Sequence, residues 1–511
     1  MNIVPPAAPR SLADLLGVDA PWLLIHDVVQ DARAATPGAL FLAYQGARTH
    51  GLVHAAEAVR RGASAIAWEP VAGVSPPQLA ADIVVTAIPQ LRQKIGSIAA
   101  RFFAQPSSTM TVAGVTGTNG KTTCVWLLAE ALQQLQRPCG YMGTLGVGFP
   151  GAVSAAAYTT ADAVTTQRAL QSLRVAGAQC VAMEVSSHAL DQYRVNGVQF
   201  HTAAFTNLTR DHLDYHLTMS AYGAAKARLM NWPSLRARVI NVDDAFGREL
   251  AAMPHVSGQL ILTMRATSPP PATPGQGAPA NAAPQYVTAT RCEYTSQGIE
   301  LTIRSSFGDA AVSLPLIGEF NADNALTVIA MLCAQDISLT DAAAALRHCA
   351  APAGRMQTLG GGSQPLAIVD YAHTPDALSK ALVAARRHCR GTLHLVFGCG
   401  GDRDAGKRAL MGAVAAQSAD DIVLTDDNPR GEEPAAIVAG IISGLQAASY
   451  QVIHDRALAI RSALTRARAS DVVLVAGKGH EDYQIYGTER RSFSDQAVVR
   501  AVLADLPGAS A

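Results

Sequence analysis

Short runs of uninterrupted apolar residues alternate along this chain with longer stretches in which apolar positions return every three or four residues. The first pattern is that of strands buried on both faces, the second that of amphipathic helices. Runs at 39–44 (ALFLAY), 63–68 (ASAIAW) and 82–87 (DIVVTA), with a helical pattern at 52–61, predict a small α/β domain over residues 1–92. A helical stretch at 90–104 leads on to Pro106. The run TVAGVT at 111–116 predicts a buried strand, then a glycine-rich turn and a helix over 122–136. Further strands are predicted at 180–185, 201–206, 237–242 and 259–263, with a loop and then a helix over 318–332. The last segment alternates in the same way, with strands at 366–371, 392–398, 421–426, 451–455 and 472–477.

Strands separated by helical stretches imply mostly parallel sheets, so the expected fold class is α/β. Three domains are expected: 1–92, small and α/β; 93–351, a P-loop ATPase-like mostly parallel sheet; and 352–511, a Rossmann-like doubly wound sheet. Residues 265–285 are so rich in Pro, Ala and Gly that they are expected to be a disordered loop within the second domain. In a doubly wound sheet ligands gather at the C-terminal ends of the strands. Asp370, 398–404, 426–430 and 477–481 all fall at such ends.

Composition narrows the function. The chain has 511 residues, 49% hydrophobic and 16% charged, enough apolar residue for large cores. Lys and Arg number 40, as do Asp and Glu, so the formal net charge is zero. That balance argues against a protein built to hold nucleic acid. No apolar run has the roughly 18 residues that span a bilayer, and MNIVPPAAPR lacks the pattern of a secretory signal. The eight cysteines form no CxxC pair, which fits reduced thiols and an expected cytoplasmic location.

The sharpest chemical signal is TGTNGKTT at 116–123, between a strand and a helix. Glycines there let backbone N–H groups close around phosphate oxygens, and the helix N-terminus adds positive dipole. Lys121 suits the β- and γ-phosphates, and Thr122 or Thr123 suits Mg²⁺. The common phosphate-loop spacing wants glycine at 115, where this chain has Val115. Glu184 in MEVSSH (183–188) ends an apolar run and is a carboxylate candidate for Mg²⁺. TNLTRDHLDYH (206–216) sets His212 and His216 four apart, a spacing that by itself more often serves structure than metal. Lys226 lies in an apolar helical stretch, where a lone lysine ordinarily snorkels at the surface. Asp376, after Pro375, reads as a helix cap. GCGGDRD (398–404) lacks dinucleotide-binding spacing. With DDNPR (426–430) and GKGHE (477–481) it could instead bring Arg403, Arg430 and Glu481 around a zwitterionic, carboxylate-bearing substrate.

Taken together, GTNGKT, EVSSH, FTNLTRDHLDYH, FNADN (320–324), Gly354-Arg355 and DYAHTPD (370–376) resemble, in the same order and over nearly the whole chain, the Mur ligase family of ATP-dependent amide ligases in peptidoglycan precursor synthesis. The resemblance implies that Gly117, Thr118, Asn119, Gly120, Lys121, Thr122 and Thr123 hold ATP, with Asn324, Arg355 and Asp370 on the nucleotide. It implies Mg²⁺ placed by Thr122, Glu184 and His212, and makes Lys226 the family's carbamoylated lysine, a second Mg²⁺ support. Lys121, Glu184, His212 and Lys226 are then the catalytic set. Tyr158, Thr159, Thr160, Ser186, Gln192 and Arg194 match a UDP-muramoyl-dipeptide site, with Gln30, Ala32, Ala47, Arg48 and Thr49 toward the uridine. The family's Asp-Ser-Arg is Asp31-Ala32-Arg33 here, which removes a serine hydroxyl. Arg403, Asp427, Asn428, Pro429, Arg430, Gly477 and Glu481 match a diaminopimelate site, and Asp-Asn-Pro-Arg is the pattern associated with meso-diaminopimelate as the added amino acid.

The implied reaction adds meso-diaminopimelate to UDP-N-acetylmuramoyl-L-alanyl-D-glutamate through an acyl phosphate. The partners are small molecules, without nucleic acid or membrane insertion, and the chain is expected to be a monomer. Three alternatives stay open: the same ligation with L-lysine, a folylpolyglutamate-synthase-like ligase, which has the related core without this Asp-Asn-Pro-Arg context, and a P-loop protein that binds nucleotide without ligating anything.

Overall fold

All five residues of the strand Ala39–Ala43 are buried because each face of its sheet is covered. Leu40 and Leu42 enter one core with Ile95, Ile98 and Phe102, while Ala39, Phe41 and Ala43 enter another with Leu52 and Ile66. This is the period-two alternation of a strand applied to two apolar layers. The computed structural model describes residues 8–46, 49–156, 158–254, 258–265, 284–295 and 298–506. The chain divides into two compact units: 1–263 with 272–286 and 330–336, and 264–271 with 287–329 and 337–511.

The first unit opens with a four-stranded parallel sheet in the order Asp27–Val29, Ala39–Ala43, Ala63–Trp68, Val84–Ala87. The helical pattern at 52–61 is realised as a short 3₁₀ turn, Gly51–His54, and a helix, Ala55–Arg60. The helix Leu91–Phe102 buries Leu91, Ile95, Ile98, Ala99 and Phe102, one helical face.

The same unit's larger sheet places Cys139–Gly143, Cys180–Glu184, Thr111–Thr116, Phe200–Phe205, Ala237–Asn241 and Gln259–Arg265 side by side and parallel. Gly146–Phe149 and Ala152–Ser154 add antiparallel edge strands. Thr111–Thr116 is central, flanked by Cys180–Glu184 and Phe200–Phe205. Its register pairs Glu184 with Val115 and Phe205 with Thr116. Parallel pairing therefore delivers the glycine-rich loop, the Glu184 carboxylate and the Thr206 loop to one sheet edge.

The second unit carries an antiparallel meander, Gln285–Thr295, Gly298–Ser305 and Gly308–Leu314, that the apolar-run pattern does not reveal. Within Gly298–Ser305, burial alternates from Ile299 onward as in a one-sided sheet. The helix Glu319–Cys333 begins directly at Glu319, so Asn321 and Asn324 are helical residues and the expected leading loop is absent. The C-terminal sheet runs Gln357–Gly360, Leu366–Asp370, Val472–Ala476, Leu393–Phe397, Asp421–Leu424, Gln451–Val452, and only the first is antiparallel. Helices cover both faces. Pro375–His388, Gly406–Ser418 and Pro434–Leu445 pack on Ile368, Leu395 and Leu474, whereas Arg456–Arg466 and Asp495–Asp505 pack on Val369, Val396 and Val473.

Asp376 does not cap its helix. Thr374 does, accepting from the Ala377 N–H, and Asp376 instead pairs with Lys380 one turn on, at 2.7 Å. Among the described residues no helix is long and apolar enough to cross a membrane. The Pro/Ala/Gly stretch expected as a disordered loop lies, over residues 266–283, outside the described residues.

Candidate active site

The glycine-rich loop leaves its strand at Gly117, whose φ of 150° falls in the glycine region. A Cβ there would stand 1.9 Å from Thr206 Oγ1. Val115, the departure from common spacing, is fully buried within the strand, so the loop proper spans 117–120. Gly120, at φ 86°, caps the helix Lys121–Gln134 and gives it no side-chain acceptor. Asp162, Ser186 and Asp244 do cap their helices. A helix start without a capping side chain keeps its N–H groups and dipole for an anion.

The loop is fastened by a segment to which sequence reasoning assigned no role. The Asn207 side-chain amide pairs with the backbone of Asn119 in both directions: the Asn119 N–H donates to Oδ1 at 3.0 Å, and Nδ2 donates to Asn119 O at 3.2 Å. Thr206 Oγ1 donates to Asn119 O at 2.6 Å, and the Thr118 N–H donates to Asn207 O at 2.8 Å. The Thr209 N–H donates to Thr118 Oγ1 at 3.0 Å. The segment opens the FTNLTRDHLDYH stretch that the family resemblance marked, but its hold on the loop becomes legible only once its strand is known to neighbour the loop. Asn207→Ala should raise the KM for ATP by about 5–150-fold, the worth of two net hydrogen bonds, and leave other substrates' KM values in place. Initial rates with each substrate varied in turn check this.

Two lysines converge on one carbonyl. Lys121 Nζ donates to Gly117 O and Thr118 O, both at 2.9 Å, and Lys226 Nζ donates to Gly117 O at 2.7 Å. Lys226 is 1% exposed, which overturns the surface reading of a lysine in an apolar helix. Its Nζ stands 4.4 Å from the Tyr222 ring centroid. Burial, with the Lys121 charge second, brings its pKa down to about 6. The buried amine is therefore largely unprotonated at neutral pH.

Glu184 is fully buried, yet both carboxylate oxygens are satisfied. Oε1 accepts from Tyr141 OH at 2.7 Å and the Thr144 N–H at 2.8 Å. Oε2 accepts from Thr122 Oγ1 at 2.9 Å and Thr144 Oγ1 at 3.2 Å. The carboxylate thus sits against the hydroxyl at the helix start, as the two candidates for one hard cation would. Thr123 is buried in the same helix. His212 is not a helical partner of His216, because it precedes the helix Leu213–His216 at φ 52°. It is half-exposed beside Asp211, and its ring lies 4.9 Å from that of His188. His216 is buried on Ser187, at 2.9 Å, and burial lowers the pKa of both His188 and His216.

The predicted dipeptide residues form one connected wall. Thr160 Oγ1 donates to Glu184 O at 2.9 Å and accepts from the Ser186 N–H at 3.1 Å. Arg194 donates to Thr160 O and to Gln192 Oε1, and its guanidinium stands 5.8 Å from the exposed Tyr158 ring. Thr159 and Thr144 hydroxyls meet at 3.1 Å. A cavity of about 220 Å³ lies among Gln30, Tyr44, Arg92, Tyr158, Gln192 and Arg194. A neighbouring cleft of about 480 Å³ shares Gln30 and Tyr44 and reaches Asp31 and Arg168. Gln30 bonds the Val164 N–H, and Ala32 is buried in a 3₁₀ turn started by Asp31. Thr49 is exposed, with its carbonyl accepting from the Gly46 N–H. Ala47 and Arg48 lie outside the described residues.

In the second unit the three C-terminal loops meet. An added Cβ at Gly400 would lie 2.9 Å from Arg430 Nη1 and 3.9 Å from Arg403 Cγ, so both arginines flank that glycine. Arg430, at φ 52°, donates to Gly401 O at 2.8 Å. The buried Asn428 donates to Glu481 Oε2 at 2.9 Å, and its neighbours Asp427 and Pro429 are buried too. Gly477, at φ 121°, lies under Asp427 Oδ2. Lys478, to which the sequence reading gave no role, is fully buried and reaches Asn428, Glu481 and Asp427. Nearby, Asp370 accepts from the Met356 and Ala372 N–H groups, and Arg355 stacks over Tyr371 at 5.3 Å. Burial pushes the Asp370 carboxyl up, against those backbone bonds. Asn324 is buried and donates to Asn321 Oδ1 at 2.9 Å.

Comparison with known proteins adds the family. "Mur ligase family, catalytic domain" matches residues 24–103, "Mur ligase middle domain" 115–332, and "Mur ligase, glutamate ligase domain" 354–479. The UDP-N-acetylmuramoyl-L-alanyl-D-glutamate–2,6-diaminopimelate ligase of Ectopseudomonas mendocina is 46% identical over 97% of this chain and 98% of its own. That of Xanthomonas campestris pv. campestris is 47% identical over 94% of each. A solved structure of a ligase with the same title superposes with a TM-score of 0.74 at 34% identity, covering 98% of this chain and 99% of the other. A MurF from Acinetobacter baumannii shares the fold, with a TM-score of 0.62 at 19% identity over 98% of this chain and all of the other.

Proposed function

This chain belongs to the Mur ligase family, and we propose that it is the ATP-dependent ligase that joins meso-diaminopimelate to UDP-N-acetylmuramoyl-L-alanyl-D-glutamate in peptidoglycan precursor synthesis. The observation that carries the reading is the convergence of Lys121, Lys226, Thr122 and Glu184 on one loop edge, together with relatives of that title over nearly the whole length.

A carboxylate does not condense with an amine in water, because its oxygen is a poor leaving group. The D-glutamate carboxylate attacks the ATP γ-phosphorus, the bond to the ADP oxygen breaks, and an acyl phosphate forms. The amine of diaminopimelate attacks its carbonyl carbon, phosphate leaves and a proton is lost. The loop N–H groups and Lys121 steady charge on the transferring group, which is catalysis by positioning and electrostatics. Thr160, Ser186, Gln192 and Arg194 hold the dipeptide, with Gln30 and the turn at Ala32 toward the uridine. Arg403, Arg430, Asn428 and Glu481 orient the amino acid.

The donor set fits Mg²⁺. The cation keeps most of its water and takes substrate phosphate oxygens, so one carboxylate and one hydroxyl are an adequate protein share. Glu184 and Thr122 supply them, and His212, packed on the His188 and Tyr222 rings, is the further candidate from the family pattern. Bound there, Mg²⁺ would neutralise charge on the phosphates. Lys226 fits carbamoylation. A free-base amine adds CO₂ to give a carbamate and a proton, and the product anion would face the Lys121 ammonium.

Phosphate release should require ATP, the UDP-muramoyl-dipeptide and meso-diaminopimelate together. L-Lysine in place of diaminopimelate should give little above the amino-acid-free rate. Release with lysine alone would move the specificity, and no release with either would leave a nucleotide-binding protein.

A further inference from the structure

We propose that Lys478 is a positioning residue for amino-acid selection, a buried cation that fastens the loop 426–430 to the loop 477–481 and turns Glu481 and Asn428 toward the incoming substrate. This rests on the reading of those loops as the amino-acid site.

Lys478 is fully buried, and a buried ammonium persists only where its charge is met. Its Nζ donates to Asn428 Oδ1 at 3.1 Å and Glu481 Oε2 at 3.1 Å, and stands 3.5 Å from Asp427 Oδ1. These contacts span both loops. Asn428 Nδ2 donates to the same Glu481 Oε2, so two donors fix one carboxylate oxygen and the other is turned away from them. With its oxygen on Lys478, Asn428 also accepts from the Ile485 N–H at 3.0 Å, which sets its amide orientation. On the remaining side lies the Tyr483 ring, with its centroid 5.4 Å from Nζ. Beyond Gly477 is Arg456, itself held in two bonds by the fully buried Asp495. Three carboxylates, Asp427, Glu481 and Asp495, thus face two cations, leaving a local negative excess that suits a substrate ammonium. Arg430 and Arg403, on the Gly400 side, suit a substrate carboxylate. Glycines on each side of Lys478, at φ 121° and 54°, give the turn that aims the side chain inward.

The test compares Lys478→Met with the unaltered chain in steady-state phosphate release, varying each substrate separately. The KM for diaminopimelate should rise about 10–100-fold, while the KM for ATP and kcat stay within about threefold. Lys478→Arg, which restores the charge, should recover part of the loss. Should Lys478→Met not fold, Asp427→Asn/Lys478→Met removes one charge of each sign and so keeps the cluster's net charge, and this double variant should still have at least tenfold the diaminopimelate KM of Asp427→Asn. An unchanged diaminopimelate KM in Lys478→Met, equal values in the last pair, or an equal fall for every substrate overturns the assignment. Loss of diaminopimelate dependence in the unaltered chain would instead remove the reading of the site.

Discussion

Replacing Lys226 by methionine is expected to reduce ligation by at least about 100–1,000-fold without lowering the unfolding temperature near neutral pH. The two halves of this result have one cause. Lys226 is 1% exposed, and its pKa falls from 10.5 to about 6 in the folded chain. Between those values the unfolded chain holds a proton that the folded chain does not. The cost of burying Lys226 is therefore full below about pH 6, falls as pH rises, and vanishes near 10.5. Methionine carries no such cost, so the variant should match or exceed the parent in thermal melts at pH 6–7.5, with the gap closing toward pH 10. Gly117 O keeps its bond from Lys121 in the variant, so the loop retains an anchor. Melts in carbon-dioxide-depleted buffer separate the amine from its carbamate. A variant that melts lower than the parent at every pH would show that the lysine serves the fold.

Lys121→Met is expected to cost about a thousand-fold in kcat/KM. Lys121 Nζ binds the carbonyls of Gly117 and Thr118, and so rests within the loop whose phosphates it would serve. Its loss acts twice. The transferring group loses a cation, and Lys226 loses the neighbour that helps keep its amine unprotonated and would pair with its carbamate. A ¹³C carbamate resonance from labelled bicarbonate, expected for the unaltered chain, should weaken in Lys121→Met. An undiminished resonance with low activity would separate the two lysines.

The phosphate loop and its following helix were legible because glycine positions, a buried strand and Lys121 are neighbours in sequence. Most strand positions were legible for the same reason: a parallel strand covered on both faces is a continuous apolar run, as at Ala39–Ala43 and Val472–Ala476. The antiparallel meander beginning at Gln285 was not, because one-sided strands mix polar and apolar residues. The site residues taken from the family pattern carried their roles with them, and their spacing alone would have left Lys226 a surface side chain.

The sequence by itself determined the local chemistry: a glycine turn that admits phosphate, an uncapped helix behind it, and apolar runs that must become parallel strands. Tertiary structure alone decided which distant segments meet. Strand order set the Thr206–Thr209 segment against the loop and Glu184 beside Thr122. Burial made Lys226 a neutral amine and Lys478 the tie between two loops. A pKa and a hydrogen-bond partner depend on desolvation and on neighbours tens or hundreds of residues away, and neither is written in the residues on each side.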